Sequence, residues 1–163
     1  GRLPITFPKS VGQLPIYYNQ KPSAIHRYVS ESENPLYTFG YGLSYTSFAY
    51  TNLRLSSEKI KANENVTVSI DVKNTGDFDG DEVVQLYIND RYSSVTTPLK
   101  TLKGFERVFI KKGETKHVEF TLTPEELAIW NRAMVRVVEP GDFDVMVGGN
   151  SRDVTKLTFS VTK

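Results

Sequence analysis

Val66-Thr67-Val68-Ser69-Ile70-Asp71-Val72-Lys73 alternates branched apolar side chains with polar ones without a break. A period of two places Val66, Val68, Ile70 and Val72 on one face of an extended chain and their polar neighbours on the other. β-Branched residues suit that pleated, half-buried geometry. Asn74-Thr75-Gly76 then supplies turn chemistry and closes the strand.

The same alternation recurs outward from this stretch. Val84, Leu86 and Ile88 alternate with Gln85, Tyr87 and Asn89; Val118, Phe120 and Leu122 with Glu119 and Thr121. Phe143, Val145 and Val147 alternate with Asp144 and Met146; Leu157, Phe159 and Val161 with Thr158 and Ser160. Less regular strands are expected over 48–55, 102–110 and 133–138. Short strands separated by frequent turn signals predict an all-β, antiparallel β-sandwich. One helical turn is expected at Thr123-Pro124-Glu125-Glu126, with an N-cap, a proline at the first helical position and acids in the first turn. Leu127 and Trp130 should fold back from it onto the sheet.

Proline divides the chain unequally. Pro4, Pro8, Pro15, Pro22 and Pro35 fall early, each removing a backbone donor and biasing its predecessor toward extended geometry. Residues 1–47 therefore read as an extended N-terminal segment holding at most a short strand, Leu3 to Phe7, ahead of a sandwich over 48–163. Tyr17, Tyr18, Tyr28, Tyr37, Tyr41 and Tyr45 give that segment enough aromatic surface to pack against something.

Twenty basic and nineteen acidic residues leave a net charge of +1, which gives no electrostatic footprint for nucleic acid. No apolar run approaches the length of a membrane span. Cysteine is absent, which removes disulfides, thiolate metal sites and cysteine nucleophiles together. The chain opens on Gly1-Arg2-Leu3-Pro4 without Met or signal peptide, and so reads as a piece of a longer polypeptide.

Candidate chemistry is sparse. His117 alternates with core residues and should point out of its strand; His26 lies among the prolines. Neither has the neighbours of a nucleophilic triad. Asp77, Asp79 and Asp81 make a weak metal candidate, because their loop lacks the glycine and distal glutamate spacing of a calcium-binding loop. Asp142 and Asp144 share a sheet face, but nothing marks it as a cleft that would place two carboxylates across a glycosidic bond. Tyr41, Tyr45, Tyr92 and Trp130 could stack on sugars, and packing is the commoner role for each. The residues thus yield a sandwich with no visible active site.

Particular motifs add a resemblance. Gly1 to Pro8, Pro15-Ile16-Tyr17-Tyr18-Asn19, Pro35-Leu36-Tyr37 and Phe39-Gly40-Tyr41-Gly42-Leu43-Ser44-Tyr45-Thr46 follow one another in an order that resembles the C-terminal part of glycoside hydrolase family 3. Ser94 to Lys100, Leu102-Lys103-Gly104-Phe105-Glu106 and Val138-Glu139-Pro140-Gly141 are similar to that family's fibronectin type III-like domain. The pattern is nearest to periplasmic-type β-glucosidases and is shared with β-xylosidases.

The resemblance implies a parent whose barrel and α/β domain carry the catalytic carboxylates. It also implies that residues 1–47 are the tail of the α/β domain plus a linker, and that 48–163 are the accessory sandwich. No residue here matches a catalytic motif, so the resemblance implies no catalytic residue, no cofactor and an inactive piece. The expected partners are the catalytic domains of the same polypeptide, with a β-linked oligosaccharide as the parent's substrate, in the periplasm or secreted. Phe39, Gly40, Tyr41, Gly42, Leu43 and Tyr45 are expected to anchor the linker on the sandwich. Arg91, Tyr92 and Ser94, in loop 91–98, are the candidates for reaching the outer substrate cleft. An uncovered apolar face further predicts a homodimer, or residues 1–30 docked on a neighbouring sandwich. The other readings are an autonomous carbohydrate-binding module and a generic adhesion sandwich.

Overall fold

A computed structural model of the chain describes residues 1–22 and 32–163. The strands are β1 (Phe48–Leu55), β2 (Lys59–Lys61), β3 (Val66–Asn74), β4 (Gly80–Asp90), β5 (Thr101–Ile110), β6 (Thr115–Leu122), β7 (Ile129–Trp130), β8 (Arg136–Val137), β9 (Gly141–Gly148) and β10 (Val154–Thr162), with one helical turn, α1 (Pro124–Leu127), after β6. A three-stranded sheet in the order β1-β3-β6 faces a five-stranded sheet in the order β2-β10-β9-β4-β5; β7 and β8 form a small separate hairpin.

The core lies where alternation placed it. Val66, Val68, Ile70 and Val72 of β3 meet Val84, Leu86 and Ile88 of β4 and Phe143, Val145 and Val147 of β9. Phe143 stacks on Phe159 of β10 with ring centroids 5.5 Å apart. Burying each such side chain contributes about 1.5–3 kcal/mol. Pairings are antiparallel except at one edge, where β2 runs parallel to β10. β2 is too short to show a period and was not expected.

Asn74, predicted as a turn residue, is a fully buried hub. Its amide donates to the carbonyls of Phe78 at 2.8 Å and Ile110 at 3.0 Å, and its Oδ1 accepts from Thr46 Oγ1 at 2.6 Å. That network ties the segment before β1 to both sheets. The helical turn forms as expected. The side chains of Thr123 and Glu126 make a capping box, with Thr123 N donating to Glu126 Oε2 at 2.8 Å, and Leu127 enters the core.

Three local expectations need correction. Trp130 does not fold onto the sheet: it pairs with Arg136 in the hairpin and is exposed. The strand over 133–138 shrinks to Arg136–Val137, because Asn131 Oδ1 accepts from Ala133 N and Val135 N and closes a turn there. Leu3 to Phe7 makes only the isolated bridge Phe7↔Tyr37, since Pro4 and Pro8 withhold donors. No helix among the described residues is long and apolar enough to cross a membrane.

Candidate functional site

The N-terminal segment is a strap laid on the outer face of the five-stranded sheet. Leu3 N donates to Tyr41 O and Gly40 N to Leu3 O, both at 2.8 Å, so residues 3–7 and 37–41 run antiparallel to each other. Gln13, almost fully buried, closes the strap: its Nε2 donates to the Ser32 and Asn34 carbonyls at 2.9 and 3.2 Å. Leu99 N donates to Gln20 O and Ser151 N to Phe39 O, each at 2.9 Å, and these bonds fasten strap to sandwich.

The aromatic rings meet on β4. Tyr18 stacks on Phe39 at 4.1 Å, and both lie edge-on to Tyr87 at 6.0 and 6.5 Å. Gln85 and Tyr87, which alternate with Val84 and Leu86, are therefore buried as well. Tyr87 Oη donates to Gln85 Oε1 at 2.5 Å, and Gln85 Nε2 donates to the carbonyls of Gly149 and Gly40 at 2.6 and 3.3 Å. Burial holds the Tyr87 phenol well above its ordinary range, so it stays a neutral donor. Gly40 has φ +79°, and a Cβ there would run into Gln85.

Arg2 makes the deepest contact. Glu82 alternates with Val84 and Leu86 and so faces the space between the sheets. β9 ends at Gly148, opposite Gln85, which leaves the start of β4 without that neighbour. There Arg2 Nη2 lies 2.5 Å from Glu82 Oε1 and 2.6 Å from Oε2, and Tyr50 Oη donates to Oε1 at 2.8 Å. Burial pushes the Glu82 carboxyl up, opposed by the Arg2 guanidinium. Burial and the Glu82 carboxylate push the Tyr50 phenol far above its ordinary range. No sequence pattern marked Glu82; its only signal was an acid at a core position of an alternating strand.

Of the signature residues, Phe39 packs on Tyr18 and Tyr87 and Gly40 lies against Gln85, while Tyr41 stacks on Tyr37 at 5.0 Å. A Cβ at Gly42 would collide with the Gly1 carbonyl, while Leu43 and Tyr45 are exposed.

Loop 91–98 sits at the other end of the sheet. Arg91 N donates to Asp142 O at 3.0 Å and its Nε lies 3.7 Å from Asp144 Oδ1. Ser94 donates twice to Glu139, from N at 2.8 Å and from Oγ at 2.6 Å, which holds the Glu139 carboxyl below its ordinary range. Tyr92 is exposed. Asp144 is buried and accepts from Thr158 Oγ1 and Lys156 Nζ; Asp142 accepts from Ser160 Oγ.

Asp77, Asp79 and Asp81 do not converge: Asp77 pairs with Lys112 Nζ, Asp79 accepts from Lys112 N, and Asp81 pairs with Arg107. Among the described residues no cluster of three or more such side chains is placed to hold a metal. His117 is exposed in β6, with Nδ1 2.7 Å from Asp71 Oδ1. His26 lies outside the described residues.

Two facing sheets and a capping strap define a β-sandwich. The pattern of the fibronectin type III-like domain matches residues 82–151. Over its length the chain is the counterpart of the C-terminal part of glycoside hydrolase family 3 proteins, with this sandwich as the main component. It is 46% identical to a β-xylosidase of Formosa agariphila, over 99% of the chain and 23% of that protein. It is 42% identical to a periplasmic β-glucosidase of Salmonella typhimurium, over 99% of the chain and 22% of that protein. A β-glucosidase structure from Erythrobacter marinus matches with a TM-score of 0.95 at 40% identity, over 99% of the chain and 22% of that structure. The chain thus spans less than a quarter of the length of these relatives.

Proposed function

We propose that this chain is the non-catalytic accessory part of a family 3 glycoside hydrolase, bracing the catalytic domains of an enzyme that cleaves β-glycosides, chiefly β-glucosides, in the periplasm or outside the cell. The observation that carries the proposal is the outer side of the strap. Ile5, Val11, Leu14, Tyr17 and Leu36 are all exposed there, on a segment that Tyr18, Gln20 and Phe39 fasten to the sandwich. A chain that packs one side of a strap so closely and leaves the other side apolar is built to be covered. Asp77, Asp81 and Asp144 each lie beside a cation, Lys112, Arg107 and Arg91, rather than standing free for acid–base work.

The test compares this chain with the full-length polypeptide on aryl β-glucoside and β-xyloside. The full-length protein hydrolyses one or both and the chain alone neither. Turnover by the chain alone, abolished by substituting one of its own carboxylates, overturns the reading. A finer role belongs to loop 91–98: with its backbone fastened through Arg91 and Ser94, Tyr92 is free to meet the distal end of a long substrate. Tyr92→Ala in the intact enzyme then raises KM on long oligosaccharides and leaves short aryl glycosides unchanged; an identical KM on both removes that role.

A further inference from the structure

Beside the strap lies a second apolar face. On β4, Asp81, Val83 and Gln85 alternate with the core-facing Glu82 and Val84, so they look outward. Their partners across the ladder are Phe109, Arg107 and Phe105 of β5. The two phenylalanines therefore stand on the same outer face, four residues or about 13 Å apart along the strand. They flank the Arg107–Asp81 ion pair, whose closest approach is 2.9 Å. The turn after the strap adds Leu43 and Tyr45, which line a cavity with Val83 and Arg107. Exposure is 86% for Leu43, 96% for Tyr45, 69% for Phe105 and 52% for Phe109. β5 is also an edge strand, and the charges it carries on this face cluster at Arg107 alone.

We infer that this β4–β5 face, with Leu43 and Tyr45, is a second docking surface, and that its occupant is the upstream part of the same polypeptide. The inference rests on the bracing role proposed above. Two observations favour this occupant. The chain covers nearly all of itself but less than a quarter of each relative, so the relatives have a large body of protein available for such contact. Gly1 lines the same cavity as Leu43, Tyr45 and Arg107, so residues joined to its amino group start at the rim of this face. A strap covered on its outer side and a platform covered beside it would hold the sandwich at two surfaces meeting near Arg2, and two contacts fix an orientation that one leaves free to rock. Phe and Tyr around one arginine suit the centre of a protein interface.

Hydroxyl-radical footprinting of this chain and of the full-length polypeptide reads the side chains directly. Oxidation of Leu43, Tyr45, Phe105 and Phe109 is expected to fall by about tenfold in the longer protein, where an interface excludes water. If Ile5, Leu14 and Tyr17 are shielded there while these four oxidise as before, the second surface is refuted and the bracing role stands. If neither set is shielded, the bracing role fails too. Shielding of the four in the short chain that grows with its own concentration assigns the face to a second copy; shielding there on adding a β-glucan oligosaccharide assigns it to sugar. Either result overturns the inference. The joint variant Phe105→Ser, Phe109→Ser supplies an independent reading. It leaves the unfolding midpoint of the short chain unchanged, since both rings are exposed, and lowers that of the full-length protein. Equal midpoints in the full-length pair refute the second surface.

Discussion

Arg2 places one guanidinium nitrogen 2.5 and 2.6 Å from the two carboxylate oxygens of Glu82, eighty positions away in the chain. Glu82 is 2% exposed and shares the inward register of Val84 and Leu86. Breaking a buried pair from one side leaves an uncompensated charge and costs about 3–5 kcal/mol, far more than a surface pair is worth. Arg2→Ala is expected to lower the stability of the chain by that amount in urea unfolding. A loss under about 1 kcal/mol shows that water replaces the guanidinium and that the pair is decorative.

The same pair sets a pH dependence. Burial raises the Glu82 carboxyl and Arg2 pulls it back; removing Arg2 lets it climb further, beside a Tyr50 phenol that remains neutral. A group whose folded-state pKa is raised gives its full contribution below the unfolded value, near 4.3 for Glu, and loses it as pH rises through the folded value. The deficit of Arg2→Ala is therefore largest at neutral pH and shrinks as pH falls toward about 4.5. Denaturation curves of both proteins at the two pH values check this, and equal deficits defeat it.

Strap and sheet also depend on Gly40. Its φ of +79° strains any L side chain, and a Cβ would press on Gln85, whose amide holds the Gly40 and Gly149 carbonyls. Gly40→Ala is expected to cost about 1–3 kcal/mol. The change should also unstack Tyr18 from Phe39 and expose Tyr87, so near-ultraviolet circular dichroism should weaken together with the stability. A normal aromatic spectrum with normal stability would mean that the strap shifts without loss.

On the opposite sheet, Asp71 Oδ1 faces His117 Nδ1 at 2.7 Å. The Asp71 hydrogen bond raises the His117 pKa, and His117 in turn lowers that of Asp71. The histidine's share of the stabilisation is complete below its ordinary value, near 6.5, and is lost as pH rises through the raised value; the carboxylate's share is lost as pH falls below about 4. Proton NMR should find His117 titrating above 6.5, and Asp71→Asn should move it back down. An unchanged titration in the variant removes the pairing.

Much of the sandwich was legible because β3 and β10 follow a period of two that records burial; β9 keeps the period in its sequence, but Asp144 and Met146 are buried along with Phe143, Val145 and Val147. β4 shows where this reading stops. Gln85 and Tyr87 obey the alternation yet are buried, because the strap covers the face that the period assigns to solvent. Glu82 keeps the inward register but puts an acid at a core position, and the tertiary contacts with Arg2 and Tyr50 make sense of it. The turn at Asn131 and the two-residue β7 and β8 depend on side-chain acceptors that a period does not register. Loop 91–98 was visible as a polar stretch, but its fastening to Glu139, just before β9, and to Asp144 of β9 is set by residues distant in the chain.

These long-range contacts bear on where the folding unit begins. The change of pattern at Phe48 suggests a sandwich starting there, and β1 does begin at that residue. A piece spanning 48–163 would nevertheless lose Arg2 from Glu82, Tyr18 and Phe39 from Tyr87, the Gly40 carbonyl from Gln85, and Thr46 from Asn74. One buried carboxylate is left without its cation, and an aromatic face opens to water. The first loss alone is about 3–5 kcal/mol, set against a total of about 5–15 kcal/mol for an ordinary domain. Truncation to 48–163 is therefore expected to give a protein that unfolds at much lower urea and binds a hydrophobic dye. Adding Glu82→Leu to the truncated piece should recover part of the stability, by removing the orphaned charge. A truncated piece as stable as the whole chain would make Phe48 the true boundary and reduce the strap to a passenger.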